Sequence, residues 1–177
     1  SNERLQELNS NPNSFGKTYR AHRRHLDLDD QAFAHLKERH EYNSNPAELF
    51  TTVCAISRID WLEKHNWCRF YKVASKDMGN DYLIDKLADT GKPLIISTGM
   101  ASGMDKVYRA YSRAERKTKD HTAGVKAPAV AAIKHGADLL EVHVTKNRAQ
   151  PGTDHAASLE EPGLRQLVEW VRTSENL

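Results

Sequence analysis

Cysteine is scarce in this sequence, with Cys54 and Cys68 the only two among 177 residues. They stand far apart and lack both a disulfide framework and the close pairing of a zinc site, so both are expected to be free, buried thiols. Long hydrophobic runs are missing as well. No stretch approaches the roughly 20 apolar residues that a membrane-spanning helix needs, and Ser1 to Gln6 has no apolar signal-peptide core. A cytoplasmic protein without a membrane partner is the expectation. Neither sign of charge dominates, because 26 Lys and Arg against 24 Asp and Glu leave a formal net charge of +2. Such a balance gives no field to hold nucleic acid. The run Lys17, Arg20, Arg23, Arg24 has only Tyr19 as aromatic company and is followed by Asp27, Asp29 and Asp30, which reads as a solvated segment rather than an RNA surface. Glycine-rich phosphate fingerprints of the GxGxxG or GxxxxGK[ST] type are absent too, and a nucleotide-binding doubly wound sheet loses its main support.

What remains is an ordinary globular composition, 38% hydrophobic and 28% charged, with a mean hydropathy of −0.73 that is polar for a complete α/β enzyme. The length fits one domain. Residues 1–16, rich in Asn and Ser with Pro12 and Gly16, read as a flexible leader. Leu28, Phe33 and Leu36 then recur at helical spacing, which predicts a helix over about 30–41 capped by Asp29 or Asp30. From there strand and helix patterns alternate: Leu49 to Cys54, then Ile59 to Glu63; Phe70 to Ala74, then Tyr82 to Ala88; Pro93 to Ser97, then Met104 to Ala114. After a charged joint, Arg113 to Asp120, a helix over about Val125 to His135 ends at Gly136. A strand from Asp138 to His143 and a final helix over about Leu159 to Val171 follow. Short continuous apolar strands separated by helices predict an α/β fold with a parallel sheet, of (β/α) TIM-barrel type.

In such a barrel the reactive groups close the C-terminal ends of the strands. Thr51 and Thr52, Lys72 and Ser75 with Asp77 beyond, Ser97 and Thr98, and finally Glu141, His143 and Thr145 fall at those places. Glu141 and His143, followed by the Pro151 to Glu160 loop with Asp154, have the make-up of an active-site rim. His121 and His143 are candidate metal ligands, since imidazoles suit divalent ions completed by carboxylate or water; hydrogen-bonding structural histidines are the plain alternative. Lys72 could set a point charge against a phosphate or carboxylate, or simply snorkel. Asp154 and His155 lie behind Pro151-Gly152, which suits either close backbone approach to a ligand or a helix N-cap near Thr153 or Ser158. Met100 and Met104 read as packing residues.

Five ordered segments, Lys17 to Leu26, Tyr71 to Ser75, Gly91 to Met100, Asp120-His121-Thr122 and Glu141 to Glu160, together resemble the sialic acid synthase (N-acetylneuraminate synthase) family. The resemblance implies condensation of phosphoenolpyruvate with N-acetylmannosamine or its 6-phosphate. It implies a divalent cation, usually manganese and alternatively magnesium, held by His121 and His143, with Glu141 beside them. It also implies Thr52, Lys72 and Ser75 on phosphoenolpyruvate, and Asp77 and Asp154 on the amino sugar. Position 77 usually carries Glu in bacterial members, and Lys119 stands where a Ser is common.

By the same resemblance residues 17–177 form a partial barrel. The family's first two strands, a further strand near residues 114–119 and an antifreeze-like C-terminal domain have no counterpart in this sequence. A (β/α)₈ barrel takes about 250 residues, so an abridged synthase with trace activity is expected, and its unpaired strand edges leave a homo-oligomer open. A catalytically silent relative acting by binding, and a different phosphoenolpyruvate-using barrel enzyme, are the competing readings.

Overall fold

The computed structural model describes residues 6, 8, 14–44, 47–116, 121–124 and 137–174. It divides into two compact units, one of residues 30–126 and one of 1–29 with 127–177.

The first of these is a parallel sheet with helices on one face. Its helices are α2 (Asp30–Tyr42), α3 (Ile59–Lys64), α4 (Asp81–Ala88) and α5 (Met104–Glu115), and its strands are β1 (Thr51–Thr52), β2 (Tyr71–Val73), β3 (Leu94–Ser97) and β4 (His121–Gly124). The strands lie side by side in chain order, β1-β2-β3-β4, and all three pairings are parallel, as helical crossovers between successive strands dictate. Alternation along β2 and β3 decides which face is core. Tyr71, Val73, Leu94 and Ile96 are buried and pack with Ile59 and Leu62 of α3, Leu83, Ile84 and Leu87 of α4, and Ala110 and Ala114 of α5. Lys72, Ile95 and Ser97 alternate with them and stay partly exposed, because a strand's side chains point to opposite faces in turn.

Local chemistry fixes each helix. Asn80 caps α4 by accepting the Leu83 N–H at 3.2 Å, and the turn that leaves α4 puts Gly91 at φ +72°, a left-handed position glycine tolerates. Asp85 of α4 takes both Nε and Nη2 of Arg113 from α5, at 2.8 and 2.7 Å. Phe33 of α2 sits edge-on to Trp61 and Trp67, and Trp67 donates its indole N–H to the Phe33 carbonyl at 3.2 Å.

The second unit holds α1 (Tyr19–Leu26) and α6 (Glu161–Ser174). Helix α1 was not expected: Thr18 caps it by accepting the Ala21 N–H, and His22 is buried, while Arg24 and His25 stay exposed. Phe15 donates its N–H to His22 Nδ1 at 3.1 Å and stacks its ring on His25. The predicted strand over Asp138–His143 is also corrected. No ladder forms there, and only Val144 makes a parallel bridge, to Leu159; Leu139 is 74% exposed, and an apolar alternation without a pairing strand does not hold a strand. The predicted helix over Val125 to His135 lies outside the described residues. Cys54 is exposed rather than buried, and Met100 and Met104 are exposed rather than packed. Among the described residues no helix is long and apolar enough to cross a membrane.

Candidate active site

Two groups of predicted residues come together, one in each unit. In the sheet, Thr52 pairs with Lys72 and Lys72 with Ile95, so Thr52 and Lys72 share a row on the face opposite the helix-packed core. Immediately after β2 the chain winds into a short 3₁₀ turn over Ser75–Asp77, held by the Asp77 N–H on the Ala74 carbonyl at 2.9 Å and closed by the Asn80 N–H on the Asp77 carbonyl at 2.8 Å. Ser75 and Asp77 thus stand at the C-terminal end of the strand that carries Lys72. One Asp77 oxygen, Oδ2, is buried without a hydrogen-bond partner and lies 3.8 Å from Lys76 Nζ. A buried carboxylate oxygen left without a hydrogen bond costs about 1–3 kcal/mol.

His121, a candidate metal ligand, stands at the other end of its strand from the C-terminal positions where the reactive groups were expected. It opens β4, in the register row of Tyr71 and Leu94, and Thr122 takes the row of Ile95. The chain has only residues 116–120 between α5 and this strand, so it enters the ladder at His121 itself.

The second group is a closed loop. The Leu159 N–H donates to the His143 carbonyl and the Thr145 N–H to the Leu159 carbonyl, both at 2.8 Å. Thr145 is buried, and its hydroxyl meets His155 Nδ1 at 2.7 Å. Gly152, at φ +146°, passes so close to the His155 ring that an added Cβ would lie 2.4 Å from Cδ2, which is why the loop needs glycine there. Ser158 donates its hydroxyl to the Asp154 carbonyl at 2.7 Å. Arg148 Nε donates to the Ala156 carbonyl at 3.0 Å. These bonds set Asp154 Oδ2 3.9 Å from His143 Nδ1, with both side chains more than half exposed. Glu141 is exposed. The alternative of a cap for the last helix does not hold, since α6 begins at Glu161, beyond both Thr153 and Ser158.

For a divalent ion these donors fit in kind, as imidazole and carboxylate suit manganese. In number they fall short, because no three His, Cys, Asp or Glu side chains converge among the described residues.

Sequence reasoning missed a polar cluster behind the sheet. The buried Tyr71 donates its hydroxyl to Glu63 Oε1, the same oxygen that Lys92 Nζ meets at 2.7 Å, and Lys92 also donates to the Cys68 carbonyl at 2.9 Å. Burial, then the bond to Glu63, pushes the Tyr71 phenol well above its ordinary value. Burial likewise raises the Cys68 thiol, with Lys92 opposing. The signal available in sequence was a tyrosine and a lysine, each beside an apolar strand, but nothing there names their common partner.

Known proteins resemble this chain in both sequence and structure. It is 31% identical to the N-acetylneuraminate-9-phosphate synthase of Mus musculus over 92% of its own length and 54% of that protein's. It therefore spans about half the length of the curated relatives it matches. It superimposes on the spore coat polysaccharide biosynthesis protein of Bacillus subtilis with a TM-score of 0.75 at 17% identity, covering 99% of this chain and 57% of that one. Its TM-score against the N-acetylneuraminic acid (sialic acid) synthetase of Leptospira borgpetersenii is 0.68 at 23% identity, covering 83% and 63%. The sheet and its helices are a portion of that TIM-barrel-type architecture. Since the NeuB family model matches residues 1–120 and 118–177, in step with the motifs laid out along the sheet and the loop, this chain belongs to the NeuB family.

Proposed function

We propose that this chain carries part of a site that condenses phosphoenolpyruvate with N-acetylmannosamine or its 6-phosphate. The carrying observation is the row of Thr52 and Lys72 on the non-core face of the sheet, followed at once by Ser75 and Asp77 with its unpaired oxygen. Lys72 sets a cation against the phosphate or carboxylate of phosphoenolpyruvate, with the Thr52 and Ser75 hydroxyls donating beside it. Asp77, just past the strand that carries Lys72, accepts from the hydroxyl or amide groups of the sugar, a role the resemblance gives to Asp154 as well. C3 of phosphoenolpyruvate then bonds to the aldehyde carbon and water adds at C2. The resulting tetrahedral carbon expels phosphate by C–O cleavage, leaving a 2-keto acid. His143, with Glu141 two residues before it, is the proposed holder of a manganese or magnesium ion, and such an ion would supply polarisation of an aldehyde oxygen when bound.

A second reading, a silent relative acting by binding, draws support from the absence of a three-donor group among the described residues. Phosphate release measured with manganese, phosphoenolpyruvate and either acceptor separates the two. Trace turnover abolished by Lys72→Met supports the synthase reading. No turnover together with phosphoenolpyruvate binding supports the silent one, and turnover unaffected by Lys72→Met overturns the assignment of the site.

A further inference from the structure

The segment ahead of α1 is fastened to that helix through two histidines, and one of the fastenings depends on where a proton sits. His22 and His25 stand three residues apart on α1 and so share a face. The ring of Phe15 lies over both, with centroids 3.9 Å from His25 and 5.9 Å from His22 and the planes inclined by 24° and 17°. The Phe15 backbone N–H donates to His22 Nδ1 at 3.1 Å. Gly16, at φ +74°, then passes so close to the helix that an added Cβ would lie 2.6 Å from the Ala21 Cβ. Thr18 completes the join by capping the first turn through the Ala21 N–H at 3.2 Å.

These contacts assign the tautomer of His22. A ring nitrogen that accepts a hydrogen bond carries no proton, so the neutral ring holds its proton on Nε2. In the imidazolium both nitrogens are donors, and an N–H at Nδ1 would face the Phe15 N–H. The two histidines therefore answer acid differently. A charged His25 still stacks, because a cation over an aromatic face is attracted to it, whereas a charged His22 loses the acceptor that Phe15 uses. Among the described residues nothing offsets that charge: His22 is 6% exposed, and its side chain meets no carboxylate. The other basic groups on its helix are Arg20, Arg23, Arg24 and His25, and the segment from Ser14 to Thr18 adds only Lys17. Asp27, the acid that follows the helix, is taken by Arg23 at 2.6 Å.

We propose that His22 is an acid-sensitive latch, which when neutral holds the Phe15 segment against α1 and when protonated lets that segment go. The latch is closed above the ordinary imidazole range, about pH 6.5, and opens as pH falls through it, because the released ring accepts the proton that the closed geometry has no room for. Two NMR measurements on the full chain test this without any turnover. Ring-nitrogen spectra at about pH 7.5 should show His22 protonated on Nε2 and bare at Nδ1. Protection of the Phe15 amide against hydrogen exchange, taken relative to its intrinsic rate at each pH, should fall about tenfold or more between about pH 7.5 and about pH 5.5, with a midpoint that coincides with proton uptake by His22. His22→Asn keeps an acceptor oxygen near the place of Nδ1 and cannot titrate, so its Phe15 protection should be level across the same range. His25→Gln removes the other titrating ring and should leave the pH dependence in place. A proton on Nδ1 at neutral pH, wild-type protection that does not change with pH, a dependence that survives in His22→Asn, or one that disappears in His25→Gln overturns the proposal. The two wild-type measurements decide the matter by themselves if His22→Asn does not fold.

Discussion

Replacing Glu63 should unsettle the sheet more than its half-exposed position suggests. One oxygen of Glu63 takes both the Tyr71 hydroxyl and the Lys92 ammonium. Tyr71 is 0% exposed, so in Glu63→Ala its hydroxyl keeps no water in exchange, and a buried donor left unpaired costs about 1–3 kcal/mol. The Lys92 pair adds less. Its side chains are 19% and 34% exposed, and solvent screening holds a pair of that kind to roughly 1 kcal/mol or below. The expected total is about 1–4 kcal/mol. Glu63→Gln keeps an acceptor for Tyr71 and loses only the charge, so it should cost about 1 kcal/mol. Urea unfolding followed by the fluorescence of Trp61 and Trp67, which lie in the same unit, measures both. A double-mutant cycle with Tyr71→Phe should return a coupling of at least about 1 kcal/mol. If Glu63→Ala falls within about 0.5 kcal/mol of wild type, or Glu63→Gln is as damaging as Glu63→Ala, the shared acceptor is not what stabilises this end of the sheet.

Alkaline titration should reveal the same cluster: the folded chain retains the Tyr71 proton where an unfolded tyrosine loses its own. That stability is intact below about pH 10 and falls above it by up to about 1.4 kcal/mol per pH unit. The raised Cys68 thiol acts with the same sign from about pH 8.5, and Tyr71→Phe should flatten the upper part of the decline in unfolding measured from pH 8 to 11. Gly152→Ala should drive the His155 ring off Thr145, seen as faster amide hydrogen exchange at Thr145 and Leu159, and unchanged exchange would show the contact to be dispensable. Lys72→Met should weaken phosphoenolpyruvate binding about tenfold or more while leaving the unfolding midpoint within about 0.5 kcal/mol of wild type, since Lys72 faces away from the core. Titrated manganese should bind more weakly to His143→Ala than to wild type, and equal binding would move the ion elsewhere.

The parts of the fold legible in sequence are those where apolar residues announce themselves. Tyr71, Val73, Leu94 and Ile96 alternate with polar or half-buried neighbours, and Leu83, Ile84, Leu87 and Ala88 repeat at helical spacing, so β2, β3 and α4 stand where their patterns put them. Strand β4 carries no such mark. His121-Thr122-Ala123-Gly124 has no apolar run, and it becomes a strand because β3 offers an open ladder beside it. The reverse error falls on 138–143, where Leu139, Leu140, Val142 and Val144 look like a strand but find no ladder. Helix α1 was hidden by its own charge, since its order comes from the Thr18 cap and the Phe15 stack rather than from a stripe of apolar side chains.

The same distinction governs the site. Position along the chain and the family resemblance marked Lys72, Asp77, His143 and Asp154, but neither can say which groups the fold leaves in need. Tyr71 and Lys72 are neighbours in sequence and opposites in structure: one is buried against the helices, its hydroxyl satisfied by Glu63, and the other is turned to the face that the helices leave uncovered. Asp77 completes the contrast. Its backbone is fully engaged in the turn after β2, yet one carboxylate oxygen is removed from water without a partner. A chain selected for stability alone would gain about 1–3 kcal/mol by satisfying that oxygen or exposing it. Under the proposed function that oxygen, beside Ser75 at the end of the strand that carries Lys72, is where a ligand would supply the missing donor, since unsatisfied groups gather where a second molecule completes them.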